Sequence, residues 1–392
     1  MYSVSATCKH SFAYFALFFS LLISPAFVFA YDPDNNTRHG VGDSASVAEV
    51  MKNMKENGGH GEEKFNAGTT ITEHISDSHE WHLWGHTSIP LPVILYTDKG
   101  FECFMSSKVS HGHTHKGSHY SYKIEHNHII AIDEATGEAN HEAKIYDFSI
   151  TKNVVTIFIV CGLMLWIFIS VAKAYTRNPG QAPRGLQSFV EPLIIFIRDD
   201  VAKASIGEKK YAKFMPYLLT IFFFILISNL LGLVPVFPGG ANMTGNIGVT
   251  MSLALLTFII TTVNGNAHYW RHIFAMPGVP AGILFILTPI EIMGVFLRPF
   301  VLMIRLFANI TAGHIIALSF FCMIFIFSEM STGLGYGVGI FASLFVIFMT
   351  ALELLVAFLQ AYVFTLLSAI YFGSATEEHH HEEHDHKHAA AH

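Results

Sequence analysis

Four polar side chains recur at helical spacing in a stretch of the chain that otherwise has the composition of a membrane segment. Glu291, Arg298 and Arg305 are seven residues apart, and Asn309 follows four residues later, all within residues 281–330. Because seven residues make nearly two helical turns, these side chains share one helix face. A guanidinium stays charged, and placing it at the bilayer centre costs about 2.5–3.5 kcal/mol on insertion scales. Arg305 is therefore expected to face a protein partner or a water-filled path.

A second polar stripe lies in the next apolar stretch, residues 337–372. Glu353 and Gln360 are also seven residues apart, so they share a face of their own helix. Two adjacent antiparallel helices would bring the two stripes together. A carboxyl that changes its protonation state near a permanent cation is what a proton path requires. His314 lies nine residues beyond Arg305 and is predicted to point elsewhere unless the helix bends.

Each of these side chains also has a structural interpretation. Glu291 and Arg298 fit charges at a membrane interface near a helix end. Asn309 and Gln360 fit amides that hydrogen-bond one helix to another. His314 on its own fits a polar residue whose hydrogen bonds are satisfied within the protein. Arg305 and Glu353 are harder to explain in this way, because apolar residues flank both.

Three shorter apolar segments precede these stretches. Val154–Ala172 provides about 19 residues, enough to cross a hydrocarbon core of ~30 Å. The segment 173–213 is rich in Lys and Arg, which indicates a cytoplasmic loop. We then expect Tyr217–Val234 to return outward and Val249–Asn264 to cross back, joined by an external loop at 235–248.

The last two stretches are unusually long. Fifty residues of helix, 281–330, would measure ~75 Å, so this stretch must be broken, strongly tilted or both. Pro289 and Pro299 are natural kink points, and residues 331–337 separate the two stretches. The predicted fold of residues 151–373 is therefore an all-α membrane domain of about five membrane-embedded helices, including a long tilted C-terminal helix hairpin.

The N-terminal part has a different composition. Residues 1–30 resemble a secretory signal peptide, with Lys9 before an apolar run that ends at Ala30, although an uncleaved anchor helix is the alternative. Either way, residues 31–150 are expected to form an exported, His-rich extramembrane region. The charged tail, 374–392, is expected in the cytoplasm.

Within the exported region we predict a small number of β-hairpins. Residues 89–105 have the pattern of strand, turn and strand, with the turn at Asp98–Gly100. Residues 120–132 and 142–148 are predicted to add two strands joined by a turn at Asp133–Gly137.

Thirteen of the 24 His residues lie in 31–150, most densely at 111–128. Imidazole is a common metal ligand, but the spacing of these residues is loose, so we assign no metal site and no cofactor. A metal-ion transporter with a His-rich external domain remains the alternative function. Its weakness is that His314 is the single histidine within the long apolar stretches. No basic patch suggests nucleic-acid binding, and no GxxxxGK[ST] loop suggests a free-standing ATPase.

The segments IRLFANITAGHII (304–316), LQAYVFTLLSAIY (359–371) and NLLGLVPVFPGGANMTGNIGVTMSLALLTF (229–258) closely resemble subunit a of the F-type ATP synthase. The resemblance covers about residues 148–373 and leaves out the signal peptide and the His-rich region. It implies a non-catalytic, proton-conducting subunit of the bacterial inner membrane. It also implies contacts with a ring of c subunits, with the b-subunit peripheral stalk and with lipid.

The resemblance further implies roles for individual residues. Arg305 matches the family's essential arginine, which faces a carboxylate of each passing c subunit, and Gln360 matches the glutamine that faces this arginine. Glu291 and Asn309 fall at positions that line the channel region. His314 and Glu353 stand where some bacterial members carry Glu and His, respectively. The exchange keeps one acid and one imidazole, and we expect the two to form a proton relay toward the exported side.

Overall fold

The computed structural model describes Gly68 and residues 76–377, with gaps at 85–86, 111–112, 126–127, 134–138, 141–142, 178–180, 235–238 and 277–278. The predicted signal peptide and the tail beyond Glu377 lie outside the described residues. So does most of the segment before residue 76. The described chain consists of a small β module followed by a helical membrane domain.

The β module has three small antiparallel sheets, with strand orders β1–β2, β4–β3–β8 and β5–β6–β7. Its strands are β1 (Glu80–Trp84), β2 (Thr87–Pro90), β3 (Pro92–Thr97), β4 (Gly100–Met105), β5 (His115–Lys116), β6 (Ser121–Glu125), β7 (His128–Ile132) and β8 (Ile145–Asp147). Leu95 and Phe104 of one three-stranded sheet pack against Tyr122 and Ile129 of the other, which makes a small sandwich.

The strand predictions were partly correct. The hairpin within 89–105 is confirmed, because β3 and β4 pair across a turn at residues 98–99. The pairing of 120–132 with 142–148 is wrong. The first segment forms its own hairpin, β6–β7, and β8 pairs with β3 instead. Asn127, a residue type common in turns, separates β6 from β7 in the sequence. The predicted turn at Asp133–Gly137 lies largely outside the described residues.

The module is bonded directly to the first membrane helix, α1 (Lys152–Arg177). The backbone N–H of Asn153 donates to Asp77 Oδ1 at 3.1 Å, and that of Lys152 donates to the carbonyl of Ser78 at 2.9 Å. These bonds satisfy amides at the helix N-terminus that have no partner within the helix. The module is therefore held at the end of α1.

A hydrogen bond between buried His79 and half-buried Asp147 closes the module near the same junction. His79 Nε2 lies 3.1 Å from Asp147 Oδ2, and the Ser149 amide donates to the same carboxylate at 2.8 Å. Burial of Asp147 opposes ionisation, but these hydrogen bonds and the charge of His79 outweigh it and lower the pKa of the carboxyl from its ordinary 3.8. The ionised form therefore stabilises the folded module above about pH 4. This contribution is lost as pH falls through the lowered folded-state pKa.

We expect Asp147→Ala to destabilise the module by about 1–3 kcal/mol at neutral pH, because buried His79 loses its acceptor. Amide hydrogen exchange of β3 and β8, measured on the full chain in detergent, would report the loss. The difference in exchange rate between Asp147→Ala and wild type should become smaller below about pH 4. Glu125→Ala, at an exposed position on β6, is the control. Equal exchange in all three proteins at neutral pH would contradict the assignment.

The membrane domain is helical, and the prediction of about five membrane-embedded helices is confirmed. Four helices of the described chain are long and apolar enough to span a membrane, and a bent pair, α4 and α5, makes five. After α1 come α2 (Leu186–Phe196), which continues into a π-helical segment (Ile197–Lys203), α3 (Tyr211–Leu233), α4 (Ile247–Val263), α5 (Ala267–Phe274), α6 (Ala281–Met330) and α7 (Thr332–Thr376).

The two long C-terminal helices are more continuous than the sequence suggested. Helix α6 runs unbroken through Pro289 and Pro299, so it must cross a membrane strongly tilted or curved. Only Ser331 separates α6 from α7, and most of the predicted linker at 331–337 is helical. Glycine and proline are both tolerated in membrane helices, which explains why neither ended these elements.

Helix α3 is the centre of the domain. Its most apolar stretch is 67% buried, against 6% for α6 and 11% for α7. Helix α7 packs on α3, partly through stacking of Phe214 on Phe372 at 4.8 Å between ring centroids. Helix α6 packs on α4 and α7. The long pair thus uses one side for packing and leaves broad apolar faces open.

Candidate functional site

A cavity with several polar side chains in an otherwise apolar lining lies between the long helices and the end of α3. It has a volume of about 240 Å³, which is room for several water molecules at ~30 Å³ each. Its polar side chains come from α3, the turn after α3, α6 and α7, and are Ser228, Asn229, Asn242, Thr244, Asn309, His314 and Glu353. Three of the residues predicted from sequence therefore meet at one cavity.

Glu353 brings an unsatisfied carboxyl oxygen to this cavity. Its Oε1 is buried and has no hydrogen-bond partner within the described residues. The carboxyl lies against Gly313, where an added methyl group would come within 2.8 Å of Oε1. Buried polar atoms are nearly always hydrogen-bonded to protein or to water. The cavity is large enough to hold water beside this carboxyl, and water is its natural partner.

His314, on α6, lines the same cavity and points toward α3. Its Nε2 would lie 3.9 Å from a methyl group added at Gly232. The nine-residue offset from Arg305 thus turns the imidazole toward α3. His314 and Glu353 border one cavity from α6 and α7, respectively.

Asn229 is a site residue to which the sequence reasoning gave no role. It accepts a hydrogen bond from Thr244 Oγ1 at 2.7 Å, and its Nδ2 donates to the carbonyl of Ala357 at 3.2 Å. The amide thereby joins α3 and the following turn to α7, four residues after Glu353. The available signal was a lone amide in the otherwise apolar end of α3.

A second polar cluster lies on α6 before Arg305. Glu291 Oε1 is 3.8 Å from Arg298 and 4.0 Å from His272 of α5. The Arg298 guanidinium lies 5.7 Å from the ring centroid of Tyr371 on α7. Glu291 precedes Arg305 by 14 residues, about 21 Å along the helix. Glu291 is therefore grouped with α5, away from the cavity that holds Glu353.

Arg305 stands between the cavity and the charged cluster. It is exposed, as are Val301 and Ala308 on the same helix face. Within the described part of the chain Arg305 has no ion-pair partner. Gln360, predicted to face it, is buried on α7, and no hydrogen bond joins these two side chains in the described residues.

The histidines of the β module do not gather at one point in the described chain. Among residues 76–377, outside the gaps, no three His, Cys, Asp or Glu side chains are placed to hold a metal ion. Four histidines lie in the gaps, His86, His111, His126 and His141, and those before residue 76 also lie outside the described residues.

The family model of the ATP synthase A chain matches residues 154–373, more than half of the chain. This chain belongs to the ATP synthase A chain family. The match spans all the long helices, both polar clusters and Arg305. The resemblance read from the residues is thereby confirmed.

Individual members of the ATP synthase A chain family support the assignment. ATP synthase subunit a of Chlorobium phaeobacteroides (strain DSM 266) is 45% identical over 254 residues, which cover 63% of this chain and 70% of the relative. ATP synthase subunit a 2 of Chlorobaculum tepidum is 48% identical over 248 residues, 61% of this chain and 66% of the relative. Subunit a of Pelodictyon phaeoclathratiforme is 43% identical over 288 residues, 70% and 81% of the two chains.

The β module has a separate match. A family described as a domain of unknown function, DUF8433, covers residues 70–148. The boundary between the two family matches falls next to the hydrogen-bonded junction between the module and α1. The ATP synthase A chain family therefore accounts for the helical domain, and the module stands outside its match.

Proposed function

We propose that this chain is the proton-conducting subunit a of an ATP synthase membrane sector. In this proposal two water-filled half-channels lead from opposite membrane faces to a rotating ring of c subunits. The chain itself performs no catalysis. Proton flow through it drives rotation, and rotation drives ATP synthesis elsewhere in the complex.

The observation that carries the proposal is the position of Arg305. Its charge lies on an exposed face among apolar side chains, in helices that cross a membrane. Exposing a guanidinium to lipid is unfavourable in free energy. A c-subunit carboxylate would supply the missing counter-charge. The partner would lie on the open faces of α6 and α7, which the described residues of this chain leave uncovered.

The two polar clusters give the proposal its access routes. The cavity with His314 and Glu353 would serve one membrane face, which the basic cytoplasmic loop suggests is the exported side. Glu291, Arg298 and His272 would serve the other. Arg305 lies between them, about 14 Å along the helix from His314 and about 21 Å from Glu291. The two routes would therefore meet only at the ring.

Chemistry follows from charge at each point. His314 and Glu353 can each accept and release a proton, and as neighbours on one water-filled path they would titrate together. Arg305 cannot release its proton at biological pH. It would favour the ionised form of a passing c-subunit carboxylate. It would also repel protons that would otherwise pass directly from one half-channel to the other. The proton must then travel with the ring.

Vesicles that carry the intact complex provide the test. On addition of ATP they should acidify, and removal of the complex from the membranes should abolish the signal. The same vesicles should take up no Zn²⁺, because the alternative function is a metal-ion transporter. Zn²⁺ uptake without ATP-driven proton movement would favour that alternative and contradict the proposal.

Gly313→Ala should slow proton conduction several-fold. The added methyl group would lie 2.8 Å from Glu353 Oε1, so the carboxyl must move within its cavity. Passive proton uptake by vesicles that carry the membrane sector, driven by a K⁺ diffusion potential, is the measurement. Alanine is favoured over glycine in a helix by up to ~1 kcal/mol, so a loss of helix stability would not explain the result.

Gly162→Ala on α1 is the matched control, since nothing lies within 4 Å of a methyl group at that position. It should conduct like wild type. Unchanged conduction in Gly313→Ala would show that the position of the Glu353 carboxyl is unimportant.

A further inference from the structure

The outer face of the sheet β4–β3–β8 is apolar along all three strands. Its register places Tyr96 opposite both Phe101 and Tyr146, and Ile94 opposite Cys103. Cross-strand partners share a face, and side chains alternate along a strand. The complete outer face, which we call the aromatic face, consists of Pro92, Ile94, Tyr96, Phe101, Cys103, Met105, Tyr146 and Phe148.

The two tyrosines of the aromatic face and Phe101 are widely exposed. Tyr96 is 55% exposed, Phe101 64% and Tyr146 45%. The opposite face already packs in the core of the module through Leu95 and Phe104. An antiparallel sheet with one face on a core normally has polar side chains on the other. An extended apolar face of this kind marks an interaction surface.

The position of the aromatic face identifies its neighbour. Phe148 precedes α1 by four residues, which span at most about 14 Å. Hydrogen bonds from Lys152 and Asn153 to the module hold the sheet at that end of the helix. The hydrocarbon core of the bilayer begins with α1, and the headgroup zone adds roughly 5–7 Å beyond it. The aromatic face therefore begins within a short chain span of the membrane-embedded surface.

The residue types fit that zone. Tyrosine is enriched at membrane–water interfaces, where the ring lies among apolar groups and the hydroxyl reaches water. Lys144 is exposed one residue before β8 and would extend its ammonium group toward lipid phosphates. A protein partner would require a different argument, because the described surface offers no matching pattern of charges on this face.

We propose that the aromatic face rests on the membrane, with its side chains inserted among phospholipid headgroups next to α1. The β module would then act as a membrane-bound platform that fixes the outer end of α1. This inference concerns the module alone and does not depend on the proposed proton path.

A nitroxide spin label on Cys103 tests the proposal in the full complex reconstituted in phospholipid vesicles. Cys8, Cys161 and Cys322 are first replaced by alanine, which leaves one thiol on the aromatic face. We expect the label to collide several-fold more often with oxygen, which concentrates in lipid, than with a water-soluble nickel chelate. The control carries Cys103→Ser and Lys123→Cys, which places the label on the opposite side of the sandwich. There the chelate should dominate.

Three results would overturn the proposal. Free access of the chelate to the Cys103 label would place the aromatic face in water. Protection from both reagents would mean that protein covers it, whether a second copy, another subunit or the residues of this chain before 76. More frequent collisions with oxygen than with the chelate at both positions would mean that the whole module lies in lipid. Its two faces would then not differ.

Discussion

Replacing Arg305 with alanine should abolish ATP-driven proton pumping by the assembled complex. The substitution removes the permanent charge that stands between the cavity and the charged cluster. Without it, no positive charge favours the ionised form of a c-subunit carboxylate at that point. Protons can then cross the membrane without turning the ring. Each charge that crosses 100 mV is worth about 2.3 kcal/mol, so such a leak would remove the driving force for synthesis.

The measurement compares acidification of vesicles with ATP hydrolysis in the same preparation. Pumping should disappear, while the catalytic head, once detached, should hydrolyse ATP at its usual rate. Arg305→Lys should also fail, because a lysine in this setting can lose its proton and lacks the planar guanidinium. Arg177→Ala, at the exposed end of α1, controls for loss of a cationic side chain and should pump normally. Normal pumping by Arg305→Ala would refute the assignment.

Glu353→Gln should reduce passive proton flux through the membrane sector by an order of magnitude or more. The amide keeps the shape of the side chain but cannot exchange a proton. Within the described residues, the buried Oε1 of Glu353 borders the cavity without a hydrogen-bond partner, so we expect the path to be interrupted there. The measurement is proton uptake by vesicles under a K⁺ diffusion potential, with Glu208→Gln at an exposed position in the loop before α3 as the matched control.

The double exchange His314→Glu with Glu353→His should restore part of the flux. It returns one acid and one imidazole to the same cavity in reversed positions. His314→Glu alone would leave two acids, and the coupled pair would then titrate differently. Failure of the exchange to improve on Glu353→Gln would argue against a relay, and full flux in Glu353→Gln would remove Glu353 from the path.

The sequence predicted the helices of the membrane domain well because each is a long apolar run with a clear end. It also placed Glu291 and Arg305 on one face of α6. Periodicity, however, gives the face of a helix and not the neighbours at each depth. Fourteen residues correspond to about 21 Å, and over that distance α6 passes from α5 to the end of α3. Glu291 and Arg298 therefore belong to one cluster and Asn309 to the other, while Arg305 lies between them.

Contacts between distant segments were the least predictable features. The role of Asn229 depends on α3 lying beside α7, since its amide bonds to the carbonyl of Ala357. In the same way β8 pairs with β3 across about 50 residues, and no local pattern encodes that choice. Helix α6 runs unbroken through Pro289 and Pro299, and only Ser331 of the predicted separation at 331–337 lies outside a helix, for a different reason. Proline and glycine interrupt helices less in a membrane than in water.

Disulfide cross-linking between Ala308→Cys and a cysteine in the c subunit tests whether the rotor lies against Arg305. Ala308 is exposed on the same face of α6 as Arg305, and the partner cysteine would lie one turn from the c-subunit carboxylate. We expect a rapid cross-link in native membranes that blocks ATP-driven pumping and is reversed by reductant. Leu165→Cys, exposed on α1, should give no such product. Absence of a cross-link at Ala308, or equal yields at both positions, would contradict a rotor seated against Arg305.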